Sequence, residues 1–148
     1  MKLSKTLFFA SIFSTITLSV SAHESSSISA QQTTLKQVMR GLLNDSQEMS
    51  EAIFLRNFEQ IKKAAIKIAN HPAPAMEIRR KLAKNLGAEM DVFKSFDMKV
   101  HNAAVVIAKA ASEKNMKLVV TEYHQLVDGC QSCHSNFKQR ISKIFLDK

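Results

Sequence analysis

Cys130-Gln131-Ser132-Cys133-His134, near the C-terminus, brings two thiols and an imidazole within five residues. On a helix the two cysteines stand about one turn apart on one face. The pattern is Cys-x-x-Cys-His, the attachment signature of a covalently bound c-type haem. In that chemistry the two cysteine sulfurs add across the haem vinyl groups. The adjacent imidazole meets the iron from the side on which the thioethers are anchored. A chain built around such a motif would perform redox or gas chemistry at iron, with its other residues tuning the metal.

Other chemistries use similar residues. A structural zinc site takes four Cys or His ligands, and this stretch supplies three with no second pair nearby. A thioredoxin-like Cys-x-x-Cys accompanies a βαβ pattern, whereas no stretch here reads convincingly as a strand. A short-range disulfide stays open, because an exported chain meets oxidising conditions.

Export is itself readable. Lys2 and Lys5 precede an apolar stretch from Leu7 to Val20, and Val20-Ser21-Ala22 fits a small-residue cleavage site. Residues 1–22 are therefore expected to be a secretory signal peptide, with 23–148 the mature domain. The run is shorter and richer in hydroxyls than a membrane span of about 20 apolar residues. An uncleaved N-terminal anchor is the minor alternative, so no stable membrane insertion is expected after cleavage. Haem is attached covalently outside the bacterial cytoplasm, so leader and motif together point to the periplasm.

Cleavage of 22 of the 148 residues leaves 126, enough for one domain with a real core. It also takes two lysines from 21 basic residues, leaving a formal net charge of +6 against 13 acidic ones. Two haem propionates would bring this to about +4. Such a protein is open to steering toward acidic partners or anionic membrane surfaces. Nucleic acid is not an expected partner: the compartment is wrong, and the basic residues are spread along several helices.

The motif has to be held by helices. Three glycines and two prolines interrupt the chain, and apolar residues recur at helical spacing. The first helix carries Leu35, Val38, Met39, Leu42, Leu43, Met49 and Ile53 on one side. Thr34 with Gln37, or Ser29 with Gln32, would form its capping box. A second helix is predicted from about Asn57 to Asn70, stopped by His71-Pro72-Ala73-Pro74. A short connecting helix, Met76 to Leu86, ends at Gly87. A third long helix runs from about Glu89 to Ser112. The fourth begins near Asn115 and runs through the motif to Ile144. The fold class expected is all-α, an antiparallel four-helix bundle.

A haem motif inside the last helix of a bundle resembles the class II cytochromes c, the family of cytochrome c prime and its low-spin, Met-ligated relatives. The resemblance spans essentially the whole mature chain. Its specific part is the motif, followed by an aromatic residue, Phe137, and a basic one, Lys138, where the family usually has arginine. It implies one haem c, with Cys130 and Cys133 as thioether anchors and His134 as the proximal iron ligand. Phe137 and Lys138 would belong to the haem environment, although lysine lacks arginine's planar fork. The distal residue of the family comes from the first helix: Leu or Phe in the five-coordinate members, Met in the low-spin ones. Spacing along that helix puts Met39 there. Against this, a methionine on an apolar stripe is commonly core filling, and Met49, Met76, Met90, Met98 and Met116 are also present. His101, midway along the third helix, is a weaker competitor, expected at the rim of the pocket.

The reading that follows is a periplasmic electron carrier with six-coordinate His/Met iron. The alternative is a five-coordinate protein binding nitric oxide or carbon monoxide, and a haem-free thiol or metal-binding protein is the third. No nucleophile–base pair, phosphate-cradling glycine loop or paired carboxylates point to an enzyme. Redox proteins are the expected partners. Because family members often dimerise through their first two helices, a homodimer stays open.

Overall fold

A computed structural model describes residues 33–146, and all secondary structure in that range is helical. The expected leader, 1–22, and the polar residues that follow it lie outside the described residues. Helix α1 spans Leu35–Phe54. Of the two capping boxes open to it, Thr34 with Gln37 forms. The Thr34 N–H donates to Gln37 Oε1 at 2.7 Å, and the Gln37 N–H donates to Thr34 Oγ1 at 3.2 Å.

Helix α2, Phe58–Ala69, begins at an Asn57 cap whose Oδ1 accepts from the Gln60 N–H. It ends before Pro72, and the loop folds back so that the Ala75 N–H donates to the Thr33 carbonyl at 3.0 Å. Helix α3, Met76–Leu86, stops at Gly87, whose φ of 53° is left-handed backbone that glycine enters without a Cβ penalty. A 3₁₀ turn, Gly87–Glu89, leads into α4, Met90–Ser112. Helix α5, Met116–Cys133, starts at an Asn115 cap.

The fourth long helix runs on to Leu146, but not as α-helix throughout. A π-helical turn, His134–Lys138, separates α5 from α6, Gln139–Leu146. The cause lies in the apolar spacing. Cys133, Phe137, Ile141 and Phe145 recur every four residues, and an α-helix of 3.6 residues per turn rotates such a stripe off its face. One widened turn restores the register.

Packing runs from α1 to α2, α2 to α4 and α4 to α5 in antiparallel sequence, while α3 and α6 touch each other and cover one end. The chain is thus an all-α four-helix bundle with a two-helix cover. Its interior falls into two clusters. The larger joins Met49, Ile61, Ile68, Ile107, Val119 and Leu126 from the four long helices. The smaller joins Leu82 and Leu86 of α3 to Phe137 and Ile141, with Leu35, Phe93 and Phe96 packed against it. Alanines make α4 thin where α2 and α5 approach it: Ala103, Ala104, Ala110 and Ala111 are all buried. Among the described residues no helix is long and apolar enough to cross a membrane.

Candidate haem site

The attachment motif sits where the two clusters meet. Cys130, in the last turn of α5, packs against the larger cluster, and Cys133 packs against the smaller. Both sulfurs therefore point to the interior side of α5, one on each side of the seam. Gly129 sets their depth. A β-carbon built on it would lie 2.9 Å from Val100 Cγ2 and 3.5 Å from the Val100 backbone nitrogen. Only the missing side chain lets α5 come this near α4.

Both cysteines are free and half-buried. Burial pushes the Cys130 thiol up, and burial with the nearby Asp97 carboxylate does the same for Cys133. Both shifts favour the thiol over the thiolate. Among the described residues, no three His, Cys, Asp or Glu side chains converge as metal ligands.

His134 follows directly and opens the π turn, with its side chain exposed. Phe137, three residues on, is 2 % exposed and anchors the smaller cluster. Phe93 meets it edge-on, with ring centroids 5.6 Å apart, and Phe96 does so at 6.2 Å. Lys138 is exposed at the end of the turn. The cation over the Phe137 ring is instead Arg140, its guanidinium carbon 5.1 Å from the centroid. Arg140 also donates to Glu89 at 2.7 Å, holding that carboxyl below its usual range.

Helix α1 faces the same seam. Leu35 packs against the smaller cluster, as Cys133 does, and Leu42 packs against the larger, as Cys130 does. Met39 lies one turn after Leu35 and three residues before Leu42, on the same helical face. It is 38 % exposed, whereas Met49 is fully buried in the larger cluster. The two methionines of the α1 stripe are thus physically different: Met49 fills core, and Met39 does not.

The remaining histidines have other neighbours. His101 Nδ1 lies 2.9 Å from the Ala69 carbonyl, tying α4 to the end of α2. His124 is exposed on α5. His71, read from the sequence only as a loop residue before Pro72, has its Nε2 3.3 Å from Asp97 Oδ1. That contact, its hydrogen bond foremost, raises the imidazole pKa. Its partner lies on a different helix, so no local spacing signalled the pair.

A core divided into two at the level of two inward thiols, with a glycine cradle beside them, suits a flat apolar cofactor bonded through sulfur. Two thiols followed by an imidazole are the groups by which a c-type haem is attached. The family profile described as cytochrome c′ matches residues 22–138, from the expected cleavage site through Lys138. The chain belongs to the cytochrome c′ family. No curated protein and no solved structure matches it. Membership of the cytochrome c′ family implies haem c as the cofactor, and the four-helix bundle agrees with it.

Proposed function

We propose that this member of the cytochrome c′ family is an exported, periplasmic electron carrier with one haem, bound through Cys130 and Cys133 and ligated by His134 and Met39. What supports the reading is membership of the family over residues 22–138, together with the position of Met39 on α1 between Leu35 and Leu42, which pack against the same two clusters as Cys133 and Cys130. When bound, haem supplies a reversible one-electron couple. All else falls to the chain.

The half-buried thiols of Cys130 and Cys133 would be the groups for covalent attachment. The His134 imidazole stands beside them on the helix and would lend its lone pair to the iron. From α1, the Met39 thioether would be the second protein ligand; His/Met ligation raises the potential and suits electron transfer. Met39 is unbranched and polarizable, so it can reach a ligand position without moving the backbone. Phe93, Phe96 and Phe137 keep water from the proximal end of the site. No catalytic group is assigned, and the protein is read as a carrier, not an enzyme.

A second reading has one observation in its favour. Met39, at 38 % exposed, is not locked by packing. A loosely held sulfur would yield to a small gas, which is the nitric oxide or carbon monoxide reading. Visible spectra of the matured protein separate the two. Sharp, split reduced bands with little response to carbon monoxide support the carrier. A broad reduced band that shifts strongly under the gas overturns Met39 ligation and leaves the gas-binding reading.

A further inference from the structure

The positive charge that is spread along the chain in sequence is gathered in space. Residues 33–146 carry 18 basic and 11 acidic side chains, a net charge of +7. Residues 76–89 and 138–146, which form α3, α6 and their flanking turns, carry seven basic and two acidic, a net charge of +5. Most of the net charge therefore sits on the two helices that cover one end of the bundle. The other basic residues stay spread along the long helices, where acidic ones nearly balance them.

Packing makes this one surface. Leu82 and Leu86 of α3 are buried with Ile141 of α6 and Phe137, so the polar sides of both helices face outward together. Two contacts bind the joint. Lys81 Nζ lies 5.0 Å above the Phe145 ring, and Arg140 reaches Glu89. Arg79, Arg80, Lys84, Lys138 and Lys143 are then left exposed around it. His134 is four residues from Lys138 and exposed on the same π turn.

We propose that this basic face of α3 and α6 is the docking surface for an acidic redox protein. The proposal deepens the electron-carrier reading and rests on it for the redox character of the partner. Complementary charge would raise the encounter rate and orient the partner at the end of the bundle that holds His134. A membrane is the less suitable occupant. Two of the apolar side chains a lipid-seeking helix would insert, Ile141 and Phe145, are occupied in the cluster with Leu82 and Leu86 of α3.

The test uses matured protein and a short polyglutamate peptide as the acidic probe. Two variants of equal net charge are compared with the parent. One reverses Arg80→Glu, Lys84→Glu, Lys138→Glu and Lys143→Glu. The other reverses Arg56→Glu, Lys63→Glu, Lys109→Glu and Lys117→Glu, away from the face. The expected result is a loss of about tenfold or more in polyglutamate affinity for the first and about twofold or less for the second. Amide shifts of the unaltered protein on adding the peptide should fall on α3, the π turn and α6, a readout that needs no variant to fold. Equal losses in both variants, or shifts scattered over the bundle, overturn the proposal. So does binding to vesicles of equal parts phosphatidylglycerol and phosphatidylcholine through this face more tightly than to polyglutamate. Haem absorbance of the same preparation is read separately. Its absence would remove the electron-carrier reading while the mapping still decides where acidic ligands dock.

Discussion

Gly129 and Val100 meet so closely that a β-carbon on the glycine would stand 2.9 Å from the valine Cγ2. The next residue is Cys130, so this contact between α5 and α4 also fixes how deep the first attachment sulfur lies. Gly129→Ala should therefore destabilise the bundle, even though alanine is the better helix former. Overpacking costs typically 1–3 kcal/mol, against a helix-propensity gain of about 1 kcal/mol. A net loss of about 1 kcal/mol is expected in thermal or denaturant unfolding. Because the obstacle is a β-branched methyl, Gly129→Ala combined with Val100→Ala should remove the clash term, shown by a double-variant cycle. Purely additive losses would sink this account of the close approach.

Met39 and Met49 make a matched pair for telling ligand from core. Met39→Ala changes a partly exposed side chain, so the stability of haem-free chain should move by no more than about 0.5 kcal/mol. In matured protein the same change should broaden the reduced visible bands and open a carbon monoxide response. Met49→Ala empties a fully buried position and should cost about 2–5 kcal/mol while leaving the band shape alone. If Met39→Ala leaves the spectrum untouched, Met39 is not on the iron.

Much of this was readable before folding, for physical reasons that differ from residue to residue. Cys130, Cys133 and His134 announce themselves because covalent attachment demands fixed spacing. Helix ends were legible where side chains act locally: Thr34 with Gln37, Asn57 as a cap, Pro72 after the second helix, and Gly87 in left-handed backbone. The choice between two capping boxes was not, since both satisfy the same local rule. What escaped was set by contacts distant in sequence. The four-residue spacing of Cys133, Phe137, Ile141 and Phe145 held a sign of the π turn, yet it reads equally as an ordinary apolar stripe. Arg140 covers Phe137 and also pairs with Glu89, a partner 51 residues away. The basic face of α3 and α6 exists only once Leu82 and Ile141 are packed together.

Phe137 holds that end together, and its neighbours differ in what they contribute. Phe137→Ala should cost about 3–5 kcal/mol, since a ring 2 % exposed is lost from contact with Phe93 and Phe96. Arg140→Gln removes an exposed ion pair and a cation over the ring, and should cost no more than about 1 kcal/mol. Chemical unfolding of both variants gives the comparison. A loss for Arg140→Gln as large as that for Phe137→Ala would mean that the guanidinium, and not the ring, organises α6.

His71 and Asp97 make one part of the stability depend on pH. The Asp97 carboxylate accepts from the His71 imidazole and raises its pKa, with partial burial acting the other way. A histidine whose folded pKa exceeds its unfolded value binds its proton more tightly in the native state. The contact therefore contributes its full stabilisation below the unfolded value of about 6.5. That contribution fades as pH rises through the folded pKa, because neutral imidazole no longer pairs with the carboxylate. Asp97→Asn should bring the His71 titration, followed by NMR of the ring protons, back down toward the ordinary range. It should also flatten the difference in melting temperature between mildly acidic and mildly alkaline buffer. The loop between α2 and α3 would then be joined to α4 more weakly at low pH, but no differently at high pH. Should the parent and Asp97→Asn titrate alike at His71, the pair is a surface proximity without energetic weight.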